Sequence, residues 1–282
     1  MSRLMDLARR IAHLPGMHQL TTHPRVEPLA AAAIRARLVR RSTRFFVREA
    51  LDRHVRGDYV LREAPDVRVV LRHRTPDIET FDEVFVQRIY AAPDAVTSAL
   101  GALGRPPRIA DLGANVGLFA AWAMTRWPGA AITCFEPDPD NLDVLRRANA
   151  VNGARWDVIA ACAAPRDGEV AFAGGQFALS RIVEDEDATM RVAARDAFPS
   201  LTDADLVKID IEGGEWPILG DGRFAQLGAR AVALEYHPEG CPEPDAGAAA
   251  RALLQGAGFD RIERVATAAP PGYGSLWAWK SG

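Results

Sequence analysis

The chain has 282 residues, of which 48% are hydrophobic and 25% are charged, and its formal net charge is -3. This length suffices for one large domain with an appendage, and the composition is that of an ordinary soluble globular protein. No apolar run approaches the length of a membrane span. The three cysteines are far apart and odd in number, which argues against a disulfide framework or a zinc pattern and predicts a cytoplasmic protein.

Charge is unevenly distributed along the chain. Residues 1–60 carry twelve Arg against five acidic residues, so the remainder is acidic. A basic segment could contact a membrane surface, nucleic acid or an acidic partner. We favour a helical extension over residues 1–75, whose arginines are solvated or pair with the acidic body and which caps the substrate or forms a homodimer contact. No base-flipping signature or aromatic stacking run occurs there, so no nucleic-acid partner is expected.

Upstream of residue 108 the pattern of apolar residues is mainly helical. The predicted elements are two or three helices within 1–56, a hairpin of 59–62 with 67–72 around Ala64-Pro65-Asp66, and helices over 77–90 and 94–103.

From residue 108 onward strands alternate with helices, which is typical of a doubly wound α/β sheet. This pattern predicts a second unit over 76–282. Its predicted strands cover 108–112, 131–135, 157–161, 205–210, 231–236, 258–264 and 275–280, and its helices 115–126, 139–150, 213–220 and 245–256. The interval 165–195 breaks the alternation and is predicted to be a hairpin with a mobile loop at the rim of the site.

The stretch PRIADLGANVGLF, at 107–119, predicts a strand, a glycine turn and the start of a helix. Open α/β sheets bind nucleotide-like ligands at such junctions, where free helical N–H groups face the ligand. Gly113 would allow a tight turn and the close approach of a ligand. Neither a G-x-G-x-x-G loop nor a phosphate-binding loop with lysine is present. The turn therefore favours a ligand made of a nucleoside and an amino acid, such as S-adenosyl-L-methionine, over a dinucleotide.

Candidate ligand-binding or catalytic side chains stand at the ends of three further predicted strands. Glu136, followed by Pro137, ends the second strand, where its two oxygens could accept both hydroxyls of a ribose. Glu136 could instead be a first-turn acid of the next helix, although Asp138 is better suited to that capping position.

Two further strand ends carry candidate catalytic groups. Asp210 and Glu212 are two positions apart, so they would face the same way if the strand continues, and His237 ends the next strand. The acids could hold a metal, hold the ammonium group of the cofactor or act as a base. Because magnesium or calcium normally needs three or more oxygen ligands and no strong third candidate stands out, no metal is predicted. His237 is either structural or the general base.

Taken together, these segments resemble the FkbM-type family of S-adenosylmethionine-dependent methyltransferases. The resemblance covers about residues 70–280 and rests on IADLGANVGLFAAW, CFEPDPDNLDVLRRANA, RDGEV, DLVKIDIEGGEWPIL, VALEYHP and, upstream, RTPDIETFDEVFVQRIY. It implies a Rossmann-like class I methyltransferase fold, with a mostly parallel seven-stranded sheet and an antiparallel last strand. Relatives tend to have a Leu-Asp pair where this chain has Arg195-Asp196, and 176–189 is hard to compare, so the resemblance specifies the cofactor better than the acceptor.

The resemblance also implies roles for particular residues. The cofactor would be S-adenosyl-L-methionine, converted to S-adenosyl-L-homocysteine, with Glu136 on its ribose and Asp210 and Glu212 near its amino-acid end and methyl group. The residues implied to line its methionine part are Asp111, Gly113, Asn115 and Gly117, with Ala161 and Ala163 flanking the adenine and with Tyr90, Ala114 and Pro137 as further cofactor contacts.

The sequence therefore predicts a methyltransferase that moves the methyl group to a hydroxyl of a small molecule, a sugar or a secondary metabolite. In-line transfer would depend on positioning and on a general base, for which His237 is the first choice, with Asp210 or Glu212 orienting it or substituting for it. A non-catalytic module that binds the cofactor or a nucleoside and acts through a protein partner is the alternative. A nucleotide-linked oxidoreductase is disfavoured by the missing G-x-G-x-x-G.

Overall fold

The computed structural model describes residues 27–51, 55–175, 180–183, 185–267 and 270–281. The helices predicted within residues 1–26 lie outside these ranges. The strands, in chain order, are β1 (Arg56–Val60), β2 (Arg68–Arg72), β3 (Arg108–Leu112), β4 (Ala131–Phe135), β5 (Trp156–Ile159), β6 (Cys162–Ala164), β7 (Gly168–Ala173), β8 (Arg181–Ile182), β9 (Met190–Asp196), β10 (Leu206–Ile209), β11 (Ala231–Tyr236), β12 (Arg261–Val265) and β13 (Gly274–Trp279). The α-helices are α1 (Glu27–Ala36), α2 (Ser42–Leu51), α3 (Asp77–Phe81), α4 (Asp94–Gly101), α5 (Leu118–Arg126), α6 (Pro139–Val151), α7 (Phe198–Thr202), α8 (Glu215–Leu219) and α9 (Ala246–Gly256).

Seven of the described strands form the central sheet, in the order β12-β13-β11-β10-β3-β4-β5. Five neighbouring strands run parallel to one another, namely β11, β10, β3, β4 and β5. Strand β13 is antiparallel to both β11 and β12. This topology confirms the predicted fold class, a mostly parallel seven-stranded sheet with an antiparallel last strand. It also places the carboxyl ends of β3, β4, β10 and β11 along one edge, where open α/β sheets bind ligands.

The central sheet is covered on both faces, so its strands are apolar on both sides. One buried cluster packs α5, α6 and the β1-β2 hairpin against the sheet, and a second packs α8 and α9 against the opposite face. Helix α5 is buried over seven consecutive residues, 118–124, since it lies between the sheet and the N-terminal elements. No helix in the described residues combines the length and the apolar character needed to cross a bilayer.

The interval 165–195 is more regular than predicted. Strands β6, β7, β8 and β9 form a second sheet in the order β6-β9-β7-β8, and β6 pairs with β9 in parallel. The prediction of a hairpin holds for the antiparallel pair of β7 with β8. It missed β6, which has only three residues, and β9, MRVAARD, in which a partly buried face of Met190, Val192 and Ala194 alternates with exposed residues that include two arginines.

The segment between α2 and α4 also departs from the prediction. The helix expected over 77–90 begins as α3 and continues as a π-helix, Asp82–Gln87, which ends at Arg88 with a φ of 60°. Single-turn π segments are rare in proteins, and those that occur are often found at functional sites. This one brings Glu83 to the wall of the cavity described below.

The N-terminal elements join the body of the protein through a shared core. The predicted hairpin is confirmed as the antiparallel pair β1-β2. Its Tyr59 donates its hydroxyl proton to, or accepts one from, His73 Nε2 at 2.6 Å, and His73 Nδ1 lies 2.8 Å from Glu49 Oε2 on α2. Helices α1 and α2 expose Ile34 and Leu51. The predicted homodimer contact through these helices stays a prediction.

Candidate functional site

The site lies at the carboxyl edge of the central sheet, around a cavity of about 450 Å³. Asp111, the last residue but one of β3, is fully buried and its Oδ1 lies 3.2 Å from the Nζ of Lys208 on β10. Lys208 also donates to the carbonyl oxygens of Leu112 and Gly113, at 3.3 and 2.7 Å. Burial opposes the charge of Lys208, but Asp111 and Asp210 outweigh it and raise its pKa. Lys208 therefore ties the end of β3 and the glycine turn to β10.

The glycine turn after β3 has the backbone that the sequence predicts. Gly113 has a φ of +80°, and its N–H, like that of Ala114, donates to the carbonyl oxygen of Phe135 at the end of β4. A Cβ on Gly113 would lie 1.8 Å from the carbonyl oxygen of Asp210. Glycine is therefore required because the protein's own backbone approaches closely, in addition to any approach by a ligand.

Glu136 lies directly beside this turn. Its Oε2 accepts the N–H of Asn115 at 2.8 Å, and its Oε1 accepts the N–H of Asp138 at 2.9 Å. Burial raises the pKa of Glu136 to about 7, although both backbone donors favour the charged form. Each oxygen keeps a further lone pair, so the carboxylate can still accept two hydroxyl groups. Asp138 is the N-cap of α6, as predicted, since its Oδ1 accepts the N–H of Asp140.

Not every predicted cofactor residue lines the cavity. Gly113, Ala114, Asn115, Glu136, Pro137 and Ala163 do, together with Tyr90 and Asp210. Asp111, Gly117 and Ala161 are instead part of the supporting structure, and Cys162 lines the cavity next to Ala163. Gly117 has a φ of +83°, and a Cβ there would meet the side chains of Leu145 and Trp156, each at 2.8 Å. Glycine is therefore required at residue 117 because this position packs closely against α6 and β5.

The acidic turn after β10 differs from the extended strand that the sequence suggested. The strand ends at Ile209, and Glu212 and Gly213 have φ values of 53° and 96°. Tyr90 donates its hydroxyl proton to Asp210 Oδ2 at 3.2 Å, which connects the segment before α4 to this turn. Asp210 and Glu212 nevertheless both face the cavity, because the left-handed turn redirects Glu212 towards His237.

His237 is held in one orientation at the end of β11. Its Nδ1 donates to Oε1 of the buried Glu215, at 2.7 Å, and its Nε2 lies 3.5 Å from Glu212 Oε2. The ring of Tyr273 packs edge-on against the imidazole, with centroids 5.5 Å apart. One oxygen each of Asp210 and Glu212 and one nitrogen of His237 lie within 4.8 Å of one another. The sequence predicted no metal because a third oxygen ligand for magnesium or calcium was missing, and in the structure the third group beside the two acids is the imidazole of His237.

The side of the cavity near the ends of β10 and β11 is rich in carboxylates. Burial, reinforced by the charge of Asp210, raises the pKa of Glu83 and of Glu212 to about 7 and that of Glu235 to about 8. For His237, burial opposes the charged form, but the hydrogen bond and charge of Glu215 outweigh it and raise the pKa to about 9. The imidazole is therefore protonated at neutral pH in the cofactor-free protein.

Several residues of the site were not assigned a role from the sequence. They are Glu83, Arg181, Lys208, Glu215, Glu235 and Tyr273, all of which line the cavity or hold its side chains. Lys208 carried a usable signal, because it is one of two lysines in the chain and lies inside an apolar strand. The others come from separate segments, and no local pattern connects them.

The residues at the carboxyl ends of β3 and β4 fit an adenosyl and amino-acid ligand. Asn115 lines the cavity, and its buried Oδ1 has no hydrogen-bond partner among the described residues, so this oxygen is a potential acceptor for an ammonium group. The two oxygens of Glu136 suit a ribose diol. Ala163 and Cys162 provide a small apolar surface for a flat base. The described lining thus offers acceptors for both polar ends of the predicted cofactor.

The chain is similar to known methyltransferases in part of its sequence and in its fold. A stretch of 48 residues, 17% of this chain, is 48% identical to Methyltransferase sdnD of Sordaria araneosa and spans 18% of that protein. The fold search matches the precorrin-6y C5,15-methyltransferase of Geobacter metallireducens GS-15, with 20% identity over 66% of this chain and 87% of that chain and a TM-score of 0.39. It also matches a SAM-dependent methyltransferase from Agrobacterium tumefaciens, with 12% identity over 80% and 70% of the two chains and a TM-score of 0.44.

The sequence profile of the Methyltransferase FkbM domain family matches residues 111–261, more than half of the chain. The matched range begins at Asp111 and includes the glycine turn, Glu136, the acidic turn after β10 and His237. This match confirms the family resemblance of the sequence motifs and, with it, S-adenosyl-L-methionine as the cofactor. The chain belongs to the FkbM family of methyltransferases.

Proposed function

We propose that this methyltransferase transfers the methyl group to a hydroxyl group of a small, polar acceptor such as a sugar or a secondary metabolite. The observation that carries the proposal is the group of Asp210, Glu212 and His237, which faces the cavity next to the glycine turn. Bound S-adenosyl-L-methionine supplies an electrophilic methyl group on a positively charged sulfur. A hydroxyl is a poor nucleophile while it keeps its proton, so the neighbouring side chains must remove that proton.

The chain's own residues divide this work. Asn115 and Glu136 hold the amino-acid and ribose parts of the cofactor, and Lys208 fixes the turn that presents them. The acceptor oxygen gains the methyl group and gives up its proton to the cluster of Asp210, Glu212 and His237. Holding both reactants in one orientation contributes up to about 7–11 kcal/mol to such a transfer, and a general base adds about 10²–10⁴-fold in rate.

Within the cluster, protonation favours Glu212 over His237 as the proton acceptor. Above a pH of about 7 the Glu212 carboxylate is ionised, whereas His237 keeps its proton up to about 9. A protonated imidazole beside Glu212 orients that carboxylate and donates a hydrogen bond. The sequence-based choice of His237 as base is the competing assignment.

The carboxylate-rich wall also bears on the choice of acceptor. Glu83, Asp210, Glu212 and Glu235 line this side, so phosphorylated or carboxylated acceptors would be repelled. Hydroxyl-rich neutral molecules can donate hydrogen bonds to the same carboxylates. Neutral polyols and glycosides are therefore the acceptors we favour.

The experiment is methylation of a panel of neutral sugars, glycosides and phenolic metabolites with cofactor that carries an isotope-labelled methyl group. The proposal expects an O-methyl product by nuclear magnetic resonance. A labelled N-methyl or C-methyl product would contradict it, and binding of the cofactor without any transfer would favour the non-catalytic module. The pH profile of kcat/KM separates the bases, because Glu212 predicts a plateau above about 7 and His237 a rise through about 9.

A further inference from the structure

We infer that the cluster of Asp210, Glu212 and His237 is a binding site for a divalent transition-metal ion. No other group of this kind with three potential ligands occurs in the residues that the structure describes. Its ligand atoms lie within 4.8 Å of one another, and the pair His237 Nε2 and Glu212 Oε2 is already at 3.5 Å. Ligands about 2.1 Å from one ion lie about 3–4.2 Å apart, so rotations of the side chains would close the site.

His237 provides a second observation that points to a ligand. The residue is 3% exposed, and its Nδ1–H donates to Glu215, so Nε2, on the Glu212 side of the ring, is the nitrogen that could bind an ion once the ion displaces its proton. Nε2 makes no hydrogen bond to any described residue, and its neighbour is Glu212 within the cluster. Histidines that bind metals almost always donate their other ring N–H to a carboxylate or carbonyl in this way.

The charges around the cluster also favour a cation. The carboxylates of Glu83 and Glu235 line the same side of the cavity as Asp210 and Glu212. Lys208 contacts Asp210 at 3.5 Å, but it is shared with Asp111 and two carbonyl oxygens. Lys208 therefore leaves a net negative charge among these carboxylates, and a doubly charged cation would offset that charge.

The ligand set indicates which ion binds. Magnesium and calcium prefer all-oxygen sites, whereas an imidazole with two carboxylates suits manganese, iron, cobalt or zinc. Three protein ligands would leave coordination positions open to the cavity, as in catalytic metal sites. A pair of neighbouring hydroxyl groups could occupy these positions, which would select acceptors with a vicinal diol.

The role of the ion rests on the proposed O-methylation, whereas its binding does not. A divalent ion held by these three residues would stabilise the negative charge that develops on the acceptor oxygen as its O–H bond breaks. The proton would pass to a cavity carboxylate such as that of Glu235, and the electron pair left on the oxygen would form the bond to the methyl group. In the metal-bound enzyme Glu212 and His237 would both be ligands, so neither would take part in proton transfer, and the base role proposed above for Glu212 applies to the metal-free enzyme.

The test is a titration of the metal-free full chain with Mn²⁺, followed by electron paramagnetic resonance, with and without S-adenosyl-L-homocysteine. We expect one bound Mn²⁺ per chain and a loss of affinity of at least about tenfold in His237→Gln and in Glu212→Gln. The Glu212 side chain is 22% exposed, against 4% for His237, so its variant keeps the test valid if His237→Gln fails to fold. The matched control is Glu169→Gln, which removes an exposed carboxylate that pairs with Arg191 and is not part of the cluster.

The site is refuted if the wild-type chain binds Mn²⁺ no more tightly than Glu212→Gln, or if the control variant loses the bound ion. Methyl transfer in the presence and absence of a chelator keeps the two proposals apart. Mn²⁺ binding without an O-methyl product would leave the metal site standing and remove the proposed function. If the chain binds no Mn²⁺ and forms the O-methyl product equally well with chelator, the metal site is refuted and the proposed function stands.

Discussion

The two halves of the cavity are built by different means. On the cofactor side, at the ends of β3 and β4, the geometry comes from backbone groups: the Gly113 turn, the N–H of Asn115 on Glu136, and the carbonyl of Phe135. The acceptor side is the part of the cavity at the ends of β10 and β11 where we propose that the acceptor binds. There, side chains from four separate segments converge, and several have strongly shifted pKa values. The cofactor side is thus fixed by chain geometry, and the acceptor side by the charges and partners of its side chains.

The largest expected effect is that of Gly113→Ala, on the backbone-determined side. Its Cβ would overlap the carbonyl oxygen of Asp210, at a φ of +80°. We expect a loss of about 2–4 kcal/mol in the free energy of unfolding. We also expect S-adenosyl-L-homocysteine to bind at least about a hundredfold more weakly, as measured by calorimetry. Gly228→Ala is the matched control, because nothing lies within 4 Å of its added Cβ. Equal affinity for S-adenosyl-L-homocysteine in the two variants would contradict the claim that the backbone of this turn determines the cofactor side.

Glu136→Gln tests the same side with a smaller change. The amide would place an NH₂ donor against one of the backbone N–H groups of Asn115 and Asp138, and it would remove an acceptor for the ribose. We expect the dissociation constant of S-adenosyl-L-homocysteine to rise about 10–100-fold, since a hydrogen bond to a charged group contributes about 1.5–3 kcal/mol. Glu169→Gln, an exposed residue paired with Arg191, should leave the constant unchanged.

A pH dependence of stability is expected from the acceptor side. The pKa values of Glu83, Glu212 and Glu235 are raised to about 7–8, above 4.5, so the folded cofactor-free protein holds extra protons in this range. His237, raised from 6.5 to about 9, acts in the same direction above pH 6.5. The free energy of unfolding should therefore fall by at least about 2 kcal/mol between pH 5.5 and pH 8.

Urea unfolding of the metal-free chain at the two pH values measures this change. The double variant Glu83→Gln and Glu235→Gln should flatten the dependence, because two of the crowded carboxylates no longer titrate. A stability that rises with pH in the wild-type chain would contradict the description of the acceptor side.

The smallest effect is expected at Asp138, which connects the two halves. Its Oδ1 caps α6, and its Oδ2 accepts the N–H of Gly175 and the hydroxyl of Ser180, beside β8. Asp138→Ala should cost about 1–2 kcal/mol of stability through the lost cap. It should raise the KM of the acceptor more than that of the cofactor, since the loop that precedes Arg181 loses its anchor. Steady-state kinetics with each substrate varied in turn would show an equal rise if the anchor has no such role.

The contrast between the two sides of the cavity also explains which features could be predicted from the sequence. Strands β3, β4 and β11 have the predicted bounds, because short apolar runs end at polar or glycine-rich turns. Helix α5 begins at Leu118, later than predicted, since the left-handed Gly117 precedes it. The glycine turn and the Glu136 contact were readable for the same local reason.

The acceptor side could be predicted only in part. Asp210, Glu212 and His237 were identified as strand-end residues, but their mutual distances depend on the left-handed turn at Glu212 and on Glu215. Glu83 reaches the cavity through a π-helix, for which the sequence gives no local signal. Contacts such as that of Tyr90 with Asp210 join residues 120 positions apart, so only the tertiary fold brings them together.

The most direct measurement is a crystal structure of the chain with S-adenosyl-L-homocysteine. The account predicts that the ribose hydroxyls bind the Glu136 carboxylate and that the sulfur faces the cluster of Asp210, Glu212 and His237. A ribose bound elsewhere, or a sulfur directed away from that cluster, would contradict it.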